Sequence, residues 1–178
     1  MKKVTVELNE REVAKIKRIL NENEVIVVDY IAKDNYEEYI GKTVKVEGFV
    51  DLDYLGLTKL PINFTEVRGN FKCSSNNLTD LEGAPEEVGG NFDCWCNKLT
   101  SLEGGPIEVG GYFSCSENQL TSLEGAPKYV GGYFSCSDNK LTSLKGAPEK
   151  VEMDFHCSDN PLRSTKGKPE FIGGEFII

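Results

Sequence analysis

From Val50 onward the apolar positions of this chain return every 21 residues. Phe71, Phe92, Phe113, Phe134, Phe155 and Phe176 form one column of that register, and Cys73, Cys94, Cys115, Cys136 and Cys157 form the next, ending at Ile178. The same step joins Leu78, Leu99, Leu120, Leu141 and Leu162, and also Pro85, Pro106, Pro127, Pro148 and Pro169. It joins the polar column Asn76, Asn97, Asn118, Asn139 and Asn160. A fixed period of this length predicts a stacked array, in which each unit buries its apolar side chains only against its neighbours. Stepping back from Phe71 reaches Val50. A degenerate first copy therefore starts near residue 50, with Leu52, Leu57, Leu60 and Val67 in core columns and Leu55 in place of the asparagine.

Within each unit, Phe-x-Cys alternates with period two, which predicts a short strand with one face inward. Leu-x-x-Leu keeps two further side chains inside as the chain turns. Gly-x-Pro then excludes a helix on the return path, because proline lacks a donor and glycine disfavours helix. Val88, Val109, Val130, Val151 and Ile172 close the coil on its far side through an extended or tightly turned segment. Successive strands lie parallel, about 4.8 Å apart, with right-handed connections. The Val-Gly-Gly corners are read as turns that need positive φ. The asparagines are read as an internal ladder, since a buried amide persists only when its hydrogen bonds are met.

The stretches "FDCWCNKLTSL" and "FSCSENQLTSL" resemble the leucine-rich repeat pattern L-x-L-x-x-N-x-L-x-x-L, with Phe and Cys in the first two leucine slots. The resemblance covers Val50 to Ile178, and the "CSxNxLTSLxGAPxxVGG" form resembles leucine-rich proteins common in bacteria and their phages. It implies an α/β fold: a right-handed leucine-rich-repeat solenoid with a concave parallel β-sheet that binds proteins. The solenoid is assigned to residues 44–178, with its last strand at 175–178. A small α/β capping module is assigned to residues 1–43. There "KVTVEL" and "EVIVVDYI" read as strands, Asn9 as the N-cap of a helix over "EREVAKIKRIL", and "NYEEYI" as a short helix. At the other end Thr165 replaces a core leucine, and Arg163, Lys166 and Lys168 add charge. The "EFII" strand at 175–178 presents an edge of the kind that recruits another strand, so a homodimer through it is an expectation.

A net charge of −9 over 178 residues disfavours nucleic acid, which needs a concentrated basic surface. No apolar run is long enough for a signal peptide or a bilayer span. The expected location is the cytoplasm, of a bacterial cell or, by the resemblance, of a phage-infected host. In that compartment the six cysteines are free thiols rather than disulfides. Their row-like spacing does not converge as zinc ligands do, so no metal or other cofactor is expected.

The outward strand positions form columns of their own. Asn70, Asn91, Tyr112, Tyr133 and Asp154 make one; Lys72, Asp93, Ser114, Ser135 and His156 the next; Ser74, Trp95, Ser116, Ser137 and Ser158 a third. Small serines leave the face open around Trp95, with Tyr112 and Tyr133 on neighbouring strands, a composition suited to a protein-binding hot spot. The competing structural reading is that Trp95 only covers its neighbours. A fourth column places Glu117, Asp138 and Asp159 on successive coils, where they repel one another and would accept a basic partner. Cys96 shares that column and is the candidate reactive thiol. His156 beside Ser135 lacks an orienting acid and an oxyanion hole, which argues against a nucleophile-base pair there. The expected function is a non-enzymatic scaffold gripping a protein through its concave face, by the resemblance a phage-encoded modulator of a host defence protein. One alternative is an assembly component that oligomerises through its open C-terminal edge, and a second is a thiol- or metal-dependent enzyme using Cys96 or His156.

Overall fold

A computed structural model describes residues 24–178, and the helix expected over residues 10–20 lies outside them. The described chain is a parallel β-solenoid of about seven turns. Its strands, in chain order, are β1 (Val25–Val28), β2 (Thr43–Val46), β3 (Val50–Asp51), β4 (Asn63–Val67), β5 (Phe71–Lys72), β6 (Glu87–Val88), β7 (Phe92–Asp93) and β8 (Glu108–Val109). They continue as β9 (Phe113–Ser114), β10 (Tyr129–Val130), β11 (Phe134–Ser135), β12 (Lys150–Val151), β13 (Phe155–His156), β14 (Phe171–Ile172) and β15 (Phe176–Ile177). From β3 to β15 the odd-numbered strands stack as a seven-stranded sheet. β1 and the even-numbered strands form an eight-stranded sheet behind it.

The fold class therefore needs correction toward β. Among the described residues the only helical segment is the single 3-10 turn Tyr36–Tyr39, where "NYEEYI" predicts a short helix. The return path holds a strand in every coil, because Gly-x-Pro cannot continue a helix and a valine then caps the core from behind. β1 joins the eight-stranded sheet directly, pairing Val25 with Thr43 and Val28 with Val46. Ile31 bridges Val50 and is fully buried, so stacking begins within the residues assigned to the cap. A bulge between Val44 and Lys45 takes up one residue and sets the 21-residue register that holds from there on.

The core is a set of straight columns. Phe71, Phe92, Phe113, Phe134 and Phe155 have no solvent exposure. Their rings stack with centroids 5.0–5.3 Å apart and planes within 15° of parallel, a favourable aromatic spacing. Phe64 meets Phe71 edge-on at 5.1 Å, where the first coil has Val50 in the column. At the far end Phe176 tilts by 32° at 5.7 Å and is only half-buried. Cys73 to Cys157 form a second fully buried column, and burial pushes their thiols upward, away from the reactive thiolate.

The asparagine ladder is built as the sequence implies. Asn118 Oδ1 accepts the Leu99 N–H at 2.9 Å, one coil back. Its Nδ2 donates to the carbonyls of Cys94, Cys115 and Ser116 at 3.0–3.1 Å. Asn76, Asn97, Asn139 and Asn160 repeat the arrangement.

The Val-Gly-Gly corners differ from expectation. Positive φ belongs instead to the glycine of Leu-x-Gly, at Gly83, Gly104, Gly125 and Gly146, and to Gly167, where Thr165 stands for the leucine, at 82–91°. The Val-Gly-Gly glycines are required by close approach. A Cβ on Gly110 would run into the Gly89 carbonyl oxygen, and one on Gly131 into that of Gly110. Stacked backbones touch there with no room for a side chain.

Phe113→Ala should lower the unfolding free energy by about 3–5 kcal/mol, since it opens a cavity in mid-stack. Phe176→Ala should cost less than about half as much, because that ring is half-exposed and has a single ring neighbour. Urea denaturation of the two variants measures the difference.

Candidate functional site

The outer face of the seven-stranded sheet brings most of the expected residues together. Phe and Cys point inward from each strand, so the residues on either side of each Phe must point out. Tyr112 and Tyr133, on successive coils, stack face to face with centroids 4.7 Å apart and planes 9° from parallel. His156 packs edge-on against Tyr133 at 5.9 Å, and its Nε2 lies 3.9 Å from Asp154 Oδ2. Asp93 sits at the other end of this cluster. Its Oδ2 accepts the Tyr112 hydroxyl proton at 3.3 Å, and its Oδ1 accepts the Trp95 N–H at 3.1 Å.

This arrangement changes the tyrosines' chemistry. Partial burial, reinforced by the adjacent Asp93 carboxylate, pushes Tyr112 up to about 12, and the same causes raise Tyr133. Both phenols stay neutral at ordinary pH and remain hydrogen-bond donors.

Trp95 is half-buried at the end of β7, one column over, and its ring pairs with neither tyrosine. Its backbone is committed to the fold: the carbonyl accepts the Ser75 N–H at 2.9 Å. The serines beside it also hold one another. Ser116 and Ser135 share a hydroxyl contact of 2.7 Å, as Ser137 and Ser158 do at 3.1 Å. The Ser135 hydroxyl is thus engaged with Ser116, while the His156 ring turns toward Tyr133 and Asp154.

The fourth column takes a different meaning. Tyr54, Ser75, Cys96, Glu117, Asp138 and Asp159 all have φ of 53–59°, the left-handed region. They form the corner that turns the chain from the strand into the asparagine ladder. Asp tolerates this conformation far better than Glu or Cys. Glu117, Asp138 and Asp159 are exposed there, at the strand end beside the aromatic cluster rather than within it. Cys96 is half-buried at the same corner.

Sequence reasoning missed three features of this face. Asn70 and Asn91 look outward but are structural, since their Oδ1 atoms accept the N–H of Asn91 and Tyr112 on the next coil. Tyr30 and Phe49 extend the first column and stack at 5.6 Å. Phe49 lies one 21-residue step before Asn70 and was legible. Tyr30 lies in the irregular first coil and was not. Asp53, half-buried, accepts the Ser74 N–H at 2.6 Å; burial raises its carboxyl, with Asp51 and Asp93 adding to the effect.

Among the described residues no cluster of His, Cys, Asp and Glu converges to hold a metal ion, and no helix is long and apolar enough to cross a membrane. Compared with protein-family models, curated proteins and solved structures, the chain matches none.

Two measurements check this geometry. In an ultraviolet titration Tyr112 should ionise near the value of about 12, and Tyr133 should also ionise above the ordinary tyrosine range. Tyr112→Phe should remove the component near about 12. The raised value favours the neutral phenol in the fold, so this part of the stability is complete below the ordinary tyrosine range and is lost as pH climbs through about 12. At the corner, Glu117→Gly should stabilise the protein by about 1 kcal/mol by relieving a left-handed β-carbon, read as a higher urea midpoint.

Proposed function

We propose that this chain is a non-enzymatic recognition scaffold that holds a partner protein on the outer face of the seven-stranded sheet. The observation that carries the reading is the Tyr112–Tyr133 stack with His156 edge-on beside it, hydrogen-bonded to Asp93 and presented outward from a regular sheet. Tyrosine and tryptophan supply large contact areas with few rotatable bonds, and here the rings are already ordered before any partner arrives. Trp95 supplies a second anchor beside them. Glu117, Asp138 and Asp159 stand at the rim, where charge sets partner choice and association rate more than affinity.

The leucine-rich-repeat reading belongs to the same proposal, with this face as the concave side of the solenoid. The resemblance of the repeats to leucine-rich proteins of bacteria and phages points to a cytoplasmic host protein, such as a defence factor, as the partner that is blocked or redirected. The expected result is that a partner retained from native-cell lysate by the wild-type chain is lost with Trp95→Ala and with Tyr112→Ala. Equal capture by all three proteins would move the binding surface elsewhere on the molecule.

A further inference from the structure

The charges on this face are lopsided. Along the outward columns from β3 to β15 stand five carboxylates, Asp51, Asp53, Asp93, Asp154 and Glu175, against one lysine, Lys72. Lys33 reaches the cluster from the first coil, but only as far as Asp51, at 3.9 Å. The corner column adds three more acids.

Asp93 lies where this charge meets the aromatic stack. Each of its oxygens accepts one donor, from Trp95 N–H and from the Tyr112 hydroxyl, and each keeps a further lone pair. Tyr133 covers one face of the Tyr112 ring. On the other side the neighbouring coil contributes Asn91, whose side-chain oxygen is held by the Tyr112 N–H at 3.0 Å. That ring face has no aromatic neighbour. A carboxylate with free lone pairs beside a half-exposed phenol ring is complementary to a planar cation that can stack and donate at once. Guanidinium meets that description, whereas ammonium supplies only a point charge.

We infer that the occupant of this face is an arginine-bearing segment of a basic protein surface, with one guanidinium stacked on Tyr112 and hydrogen-bonded to Asp93. The inference rests on the recognition reading above and names the partner's chemistry. Nucleic acid is disfavoured by the same carboxylates, which would repel its phosphates.

The test is selection of a random peptide library on the immobilised full chain, run in parallel on wild type and Tyr112→Ala. Peptides held by wild type and lost by Tyr112→Ala should be enriched in arginine. A synthesised winner should lose about tenfold or more in affinity when its key arginine is replaced by the neutral isostere citrulline, and it should weaken as salt is raised. Asp93→Asn should reproduce the citrulline effect, and retention of the Phe-core unfolding transition in that variant separates lost charge from lost fold. Tyr112-dependent peptides without basic residues, or indifferent to citrulline, overturn this inference and leave the recognition face standing. Peptides bound equally by wild type, Tyr112→Ala and Trp95→Ala overturn both. A selection that yields no Tyr112-dependent peptide overturns the inference, and the lysate capture then decides the recognition reading separately.

Discussion

Each coil has to turn its backbone through a tight corner inside the protein, where N–H and C=O groups have no water to pair with, and one asparagine per coil meets that demand. An amide suits the task because it both accepts and donates at one position. Asn118 satisfies one N–H and three carbonyls, reaching back across the neighbouring coil in both roles. The carbonyls of Cys94, Cys115 and Ser116 each have a second donor, whereas the Leu99 N–H has none but Asn118, and a buried N–H left without a partner would cost about 1–3 kcal/mol. The stacked phenylalanines and leucines supply the apolar driving force. The asparagines decide that it acts in one register, and every column on the outside inherits that register.

The candidate site is a product of this regularity. Tyr112 and Tyr133 stack because their strands do, with ring spacing set by the backbone rather than by mutual attraction. A face assembled this way is rigid before binding, so little side-chain freedom remains to be lost when a partner docks. Asp93 fixes the end of the stack through its bond to the Tyr112 hydroxyl, and it holds the Trp95 backbone with its other oxygen.

The core was largely readable from the sequence. The step of 21 places Phe, Cys, Leu and Val in columns, and those columns are buried from Phe71 to Phe155. The asparagine ladder followed from the rule that a buried amide must be bonded. What escaped was backbone conformation. Ser75, Cys96, Glu117 and Asp138 share a left-handed φ, yet they share no residue type that would announce it. Glycine was ambiguous in the opposite way, for Gly125 is needed for its positive φ and Gly110 for its missing β-carbon, and the letters are identical. The α/β expectation came with the leucine-rich resemblance, while the residues themselves, through Gly-x-Pro, already argued against a helical back. Asp53 and Tyr30 were hidden because they lie where the repeat is degenerate or absent.

The bare glycine column at Gly89, Gly110 and Gly131 has an evolutionary consequence. At Gly110 and Gly131 a β-carbon would meet the carbonyl oxygen of the coil before, so these middle corners resist substitution, and side chains enter the same column at Arg68 and Glu152. The outward columns of the opposite sheet carry no such restriction; they already range over Asn, Tyr, Asp, Lys, Ser, Trp and His without disturbing the stack beneath. A lineage could therefore retune what that outer face grips while the buried columns stay fixed.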